Sequence, residues 1–133
     1  MTMKEREIKR AVKEGYARIA KQATSSYSSQ EGSGYFDNLQ EICRRIGYSE
    51  EELSAAPPES NLGLGCGNPV ALADIKEGET VLDMGSGAGF DCFLASSQVG
   101  ASGKVIGVDI TSEMVDKARA NARKGGYENI DFR

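Results

Sequence analysis

One stretch constrains this chain more than any other: "LDMGSGAGFD", residues 82–91. Glycines at 85, 87 and 89 come directly after an apolar run, "TVLDM" (80–84). They lead into a segment with Phe90, Phe93, Leu94 and Val99 at helical spacing. Strand, tight turn and helix in that order open a β-α unit. Glycine lets the backbone turn sharply and approach a ligand closely. The helix beyond it offers unpaired N–H groups and the positive end of a dipole. The pattern then repeats. "GASG" (100–103) is a loop and "KVIGVDI" (104–110) a second β-rich run. A helix is expected from about Ser112 to Lys124, with Met114, Val115, Ala118 and Ala122 inward and Gly125 and Gly126 ending it. "NIDFR" (129–133) starts a third strand. The order β-α-β-α-β predicts an α/β fold with a parallel sheet and right-handed crossovers. The low polarity of "TVLDM" predicts a strand covered on both faces.

Helices are expected upstream. Residues 4–21 carry a sparse apolar stripe, Ile8, Val12 and Ile19, with Ala11 and Tyr16 beside it. "TSSYSSQEGSG" (24–34) reads as a mobile loop. Leu39, Ile42, Cys43 and Ile46 then share one helical face. Ser49 with Glu52 is a capping-box pattern, and "AAPPES" (55–60) stops the turn it starts. Asn68 suits an N-cap and Pro69 the first position of a short helix, to which Val70, Leu72 and Ile75 lend apolar surface. The chain therefore divides into an N-terminal helical segment, 1–67, and a β-α-β-α-β unit, 68–133.

Composition narrows the function. The chain has 133 residues, a net charge of −4, 39% apolar and 27% charged residues, the mix of an ordinary globular domain. No basic cluster suggests nucleic acid. No apolar run approaches the ~18 residues of a membrane span. The first helix is charged throughout, unlike a signal peptide, so a cytoplasmic location is expected. Three scattered cysteines, Cys43, Cys66 and Cys92, do not make a disulfide framework. Histidine is absent, which excludes a His/Cys zinc site and any Ser-His or Cys-His pair.

Asp109 follows Gly89 by about 20 residues, where an acid accepts the ribose hydroxyls of an adenosine ligand. A dinucleotide site calls for G-x-G-x-x-G. Here the spacing is G-x-G-x-G, and the acid Asp83 precedes it. Asp83 would repel a pyrophosphate and suits a cationic ammonium.

"DMGSGAG" resembles the first motif of class I S-adenosylmethionine-dependent methyltransferases. By that resemblance Asp83 lies near the amino-acid end of the cofactor. Gly85, Ser86, Gly87 and Gly89 cradle the cofactor, and Asp109 takes the ribose. Ile110 and Met114 flank the adenine, although either also suits a core. Asp91 is a weaker candidate, explained equally by the helix dipole. "IGYSEEEL", "NLGLGCGNPVALA", "VLDMGSGAGFDCFLA" and "GKVIGVDIT" together resemble an arsenite methyltransferase over most of residues 40–133. That resemblance implies methyl transfer from S-adenosylmethionine to a small-molecule substrate, arsenite or its thiol conjugate, held by cysteine thiolates. Cys66, in "GCG", matches one such arsenic ligand. Soft thiolates suit such a centre, and trivalent arsenic needs no general base.

Relatives often carry a cysteine in the loop after the first helix, where this chain has "SSYSS" with Tyr27. Cys43 and Cys92 read as packing. The resemblance implies that 1–67 is a helical segment with a cofactor-covering loop and 68–133 the first half of a Rossmann-like S-adenosylmethionine-binding domain, in the class I methyltransferase fold, whose full sheet is larger and whose first strand is central. The 133 residues are therefore expected to be an N-terminal portion, inactive alone, whose bare sheet edge invites self-association. Two other readings stay open: a methyltransferase for a small organic acceptor such as a quinone or lipid precursor, and a non-catalytic S-adenosylmethionine-binding module.

Overall fold

The computed structural model describes residues 2–26, 32–65 and 67–133. Among these residues six α-helices and three strands follow one another: α1 (Met3–Ser26), α2 (Gly32–Arg45), α3 (Glu50–Ala55), a 3-10 turn (Pro58–Ser60), α4 (Pro69–Leu72), β1 (Thr80–Met84), α5 (Phe90–Val99), β2 (Lys104–Val108), α6 (Ser112–Gly125) and β3 (Ile130–Phe132). The strands form one parallel sheet in the order β1-β2-β3. Asp83 stands beside Gly107, and Gly107 beside Phe132.

Alternation along the strands sends Val81, Asp83, Val105, Gly107, Ile130 and Phe132 to one face. The main apolar cluster lies there. It contains Cys92, Phe93, Leu94, Ala95 and Val99 of α5, and Val115, Ala118 and Ala122 of α6. Gly107 lets this layer close. A Cβ there would meet Phe132 Cδ1 at 2.6 Å and Cys92 Sγ at 2.9 Å. Gly89 caps the start of α5 at φ +96°, where a Cβ would lie 2.6 Å from Phe132 Cζ. Phe93 meets Phe132 edge-on at 5.7 Å.

The other face differs from expectation. Thr80, Leu82 and Met84 are exposed, Leu82 by 59% and Met84 by 80%. Among the described residues no strand pairs with the free edge of β1 and no helix covers this face. The apolar character of "TVLDM" thus corresponds to one covered face only. Leu72, expected to pack, is 87% exposed as well, whereas Val70 is buried.

The N-terminal helices pack onto the same unit. Tyr48, Leu53 and Ala56 join the main cluster. Ala20 and Ala23 of α1 meet Leu62, Ala88 and Met114 in a second, smaller one. The remainder of the α1 stripe, Ile8, Val12 and Tyr16, stays exposed. Both ends of the 24–34 stretch are helical, in contrast to the expected loop, because α1 runs to Ser26 and α2 starts at Gly32. Tyr27 and its neighbours through Glu31 lie outside the described residues. The capping box forms in full. The Ser49 hydroxyl accepts from Glu52 N–H at 3.2 Å, and the Glu52 carboxylate accepts from Ser49 N–H at 2.8 Å.

Candidate active site

β1 delivers Asp83 and then the glycine turn at the end of the sheet. Gly85 and Ser86 N–H both donate to Val108 O, at 2.7 and 3.0 Å, which fastens the turn to the end of β2. Gly85 (φ +83°) and Gly87 (φ +54°) lie in the left-handed region, and a Cβ at either would meet nothing within 4 Å. The outer side of the loop is therefore open. Asp109, just past β2, ties the loop from below. Its Oδ2 accepts from Gly87 N–H at 2.9 Å and its Oδ1 from Thr111 N–H at 2.8 Å. This local bonding ends β2 at Val108, before the full "KVIGVDI" run is used.

Above the turn lies a cavity of about 120 Å³. One wall is Gly85–Ala88 with Phe90 and Asp91. The other is Cys43, Tyr48 and residues 60–65. Larger clefts, about 450 Å³ beside α1 and α6 and about 770 Å³ at the opposite end of the sheet, touch neither the glycine turn nor its acids. Ser86 Oγ is buried without a hydrogen-bond partner among the described residues, though Ser86 lines the cavity. A fully desolvated hydroxyl with no partner costs stability unless a ligand or water satisfies it.

The wall carrying residues 60–65 is anchored at both ends. Asn61 Oδ1 accepts from the Cys43 thiol at 3.2 Å and from Gly63 N–H at 3.1 Å. Asn68 caps α4 through Ala71 N–H at 3.1 Å, while its amide donates to both oxygens of Glu52 at 2.9 Å. Between these anchors, a Cβ on Gly65 would lie 3.7 Å from the Tyr48 hydroxyl oxygen. Tyr48 also crosses to the other wall: its hydroxyl donates to Asp91 Oδ1 at 2.6 Å and its ring meets Phe90 edge-on at 5.0 Å. Tyr48 and Asn61 were not singled out by sequence reasoning. Their partners are distant in sequence, and only the capping pattern around Ser49 hinted that this region was built to a fixed shape.

Asp83 lies next to the cavity, in a groove of about 170 Å³ along the free edge of β1; Asp91 lines both spaces. Burial, and then the charge of Asp109, push the Asp83 carboxyl above the usual carboxylate range, against a hydrogen bond from the Cys92 thiol at 3.3 Å. Burial also raises Asp91, opposed by the Tyr48 bond and assisted by the charges of Asp83 and Glu52. Tyr48 and Cys92 are in turn pushed up, first by burial and then by these carboxylates. Burial raises the Cys43 thiol too. The arrangement is a glycine turn flanked by acids, suited to a cation with hydroxyls.

The predicted residues thus separate. Gly85, Ser86 and Gly87 line the cavity, Gly89 caps α5, and Asp83 and Asp109 flank the turn. Ile110 is 69% exposed at the surface, whereas Met114 is buried in the second cluster beneath Ala88. Cys66 lies outside the described residues. Cys92 is buried as expected, but it also makes the bond to Asp83.

Residues 75–133 match a family described as a methyltransferase domain. The matched segment carries the glycine turn, Asp83 and Asp109. S-adenosylmethionine is the cofactor such a domain implies, and the open glycine turn, its two flanking acids and the Ser86 hydroxyl, without a partner among the described residues, fit that molecule. Two relatives are named arsenite methyltransferase. The one from Halobacterium salinarum is 56% identical over 89 residues, 67% of this chain and 23% of the relative. The one from Aquipseudomonas alcaligenes is 42% identical over 86 residues, 61% of this chain and 24% of the relative. The chain spans about a quarter of the length of both. A solved arsenic (III) S-adenosylmethionine methyltransferase from Chlamydomonas reinhardtii aligns with a TM-score of 0.47 at 31% identity, covering 68% of this chain and 30% of that one. Among the described residues no helix is long and apolar enough to cross a membrane.

Proposed function

We propose that this chain is the cofactor-binding portion of an enzyme that moves a methyl group from S-adenosylmethionine to trivalent arsenic. The observation that carries the reading is the shared cavity. The glycine turn forms one wall, and the stretch leading directly to Cys66 forms the other. The 56% identity to an arsenite methyltransferase supports the choice of acceptor.

In this reading Asp83 receives the ammonium end of the cofactor, directly or through water. Gly85, Ser86, Gly87 and Gly89 let backbone and ligand approach, and Asp109 takes the ribose. Each Asp109 oxygen accepts one backbone N–H and keeps a further lone pair for a ribose hydroxyl. Ile110 offers exposed apolar surface for the adenine, while Met114 supports the turn from beneath. Ligand sites of this size occupy about 300–1,000 Å³, so residues 61–65 shift outward when the cofactor enters.

Cys66 supplies a soft thiolate to the arsenic. Bound there, S-adenosylmethionine would supply a sulfonium methyl group open to the lone pair of the arsenic that Cys66 would help to hold. Holding the two reactants in line supplies the rate. Cys43 and Cys92 are buried and their thiols pushed up, so neither offers a thiolate. The further thiols come from outside these 133 residues, and the chain alone does not turn over arsenite. Residues 1–67 act as the cover and 68–133 as the cofactor-binding half, in the cytoplasm.

The test is titration of the chain with arsenite and with S-adenosylmethionine, before and after Cys66→Ser. Loss of arsenite binding with cofactor binding retained is expected. Arsenite binding that survives the substitution, or arsenite methylation by the 133-residue chain, contradicts the proposal.

A further inference from the structure

We infer that Cys92 is a positioning residue for the cofactor: its thiol donates to Asp83 and fixes the carboxylate that receives the ligand's cationic end. This deepens the proposed function and rests on it for the role of Asp83. The geometry is specific. Cys92 sits in the first turn of α5, fully buried, with Sγ 3.3 Å from Asp83 Oδ2. The sulfur is fixed from behind, since the bare backbone of Gly107 lets it approach so closely that a Cβ there would lie 2.9 Å from it. Gly107 is the β2 partner of Asp83, so one glycine seats the thiol beside the carboxylate it holds. With Oδ2 engaged, Oδ1 is the oxygen left for a ligand.

The bond also matters for charge. Asp83 is half-buried, and it faces Asp109 beyond β2, Asp91 on α5 and the thiol itself. Burial and the neighbouring acids disfavour its ionised form; the thiol is the group that favours it. A carboxylate that must attract a cation is therefore kept charged by a side chain that otherwise looks like packing. The distinction between packing and positioning is testable because alanine keeps most of the volume and loses the donor, whereas serine restores a donor.

The experiment follows Asp83 by side-chain carboxyl NMR in the unliganded wild type, Cys92→Ala and Cys92→Ser, with circular dichroism as the fold check. Affinity for S-adenosylmethionine is measured by calorimetry at acid and neutral pH. In Cys92→Ala the Asp83 midpoint rises by about half to one pH unit. The dissociation constant for S-adenosylmethionine increases about 3- to 10-fold at acid pH below both midpoints and approaches the wild-type value at higher pH, where Asp83 is ionised in both. Cys92→Ser moves both quantities back toward wild type. An Asp83 midpoint unchanged in Cys92→Ala, or a serine variant no better than the alanine one, overturns the inference. If the midpoint shifts as expected but the wild type binds no S-adenosylmethionine, the inferred bond stands and the cofactor reading of the site fails.

Discussion

Replacing Tyr48 by Phe removes one hydroxyl and leaves the Asp91 carboxylate without its 2.6 Å donor. The ring stays, so the edge-on contact with Phe90 is retained. A hydrogen bond to a charged group contributes about 1.5–3 kcal/mol. Asp91 keeps some contact with solvent, so a loss of about 1–2 kcal/mol is expected at neutral pH, or about 4–7 °C in Tm for a chain of this length. The pH dependence identifies the cause. Burial, with the charges of Asp83 and Glu52, holds Asp91 above the usual carboxylate range, and the Tyr48 bond opposes that rise. A raised native pKa means the folded chain binds the proton more tightly than the unfolded chain. Stability contributed by that proton is present below the unfolded pKa and is lost as pH rises through the native one. Without the hydroxyl the native pKa climbs further, so the deficit of the variant grows across that window and is complete at pH 7. Below the ordinary carboxylate range Asp91 is protonated in both states, and the deficit shrinks. Thermal unfolding at about pH 7 and about pH 3.5 measures both. A variant within about 1 °C of wild type at neutral pH, or one whose deficit is equal at the two pH values, refutes the reasoning.

Two further outcomes follow from the packing. Gly107→Ala places a Cβ against Phe132 and the Cys92 sulfur and costs about 1–3 kcal/mol, read from the midpoint of urea unfolding; an unchanged midpoint contradicts the close approach of these layers. The free edge of β1, with Leu82 and Met84 exposed, supports association of the chain with itself. Sedimentation should therefore show a concentration-dependent rise in mass that Leu82→Lys reduces, and a wild-type chain monomeric at every concentration would exclude that association.

The elements that sequence reading recovers are those set by neighbours in the chain. The Ser49–Glu52 box, the Asn68 cap before Pro69, and the glycine turn after β1 each depend on residues a few positions apart, and each forms. The inward set of α6 follows from helical spacing alone, and all four of its residues are buried. What escaped depends on distant partners. The Tyr48–Asp91 bond joins residues 43 positions apart, and no local pattern marks it. The Cys92 bond to Asp83 was hidden because a thiol reads equally well as a small apolar side chain. The open face of β1 was misjudged because composition reports that a strand is apolar, not which neighbour covers it. The Ser- and Gly-rich stretch misled in the same way: weak helix propensity around Ser26 and Gly32 did not stop either helix. Asp109, placed by spacing from the glycines, does lie against them, bonded to Gly87 N–H.

In the proposed function the glycine turn, with Asp83 and Asp109, binds S-adenosylmethionine. Calorimetric titration of the 133-residue chain and of Asp109→Ala, both confirmed folded by circular dichroism, tests it most directly. One cofactor bound per wild-type chain is expected, with a loss of at least about tenfold in affinity for the variant, the equivalent of about 1.4 kcal/mol. No binding by the wild type, or equal affinity in the two proteins, contradicts it.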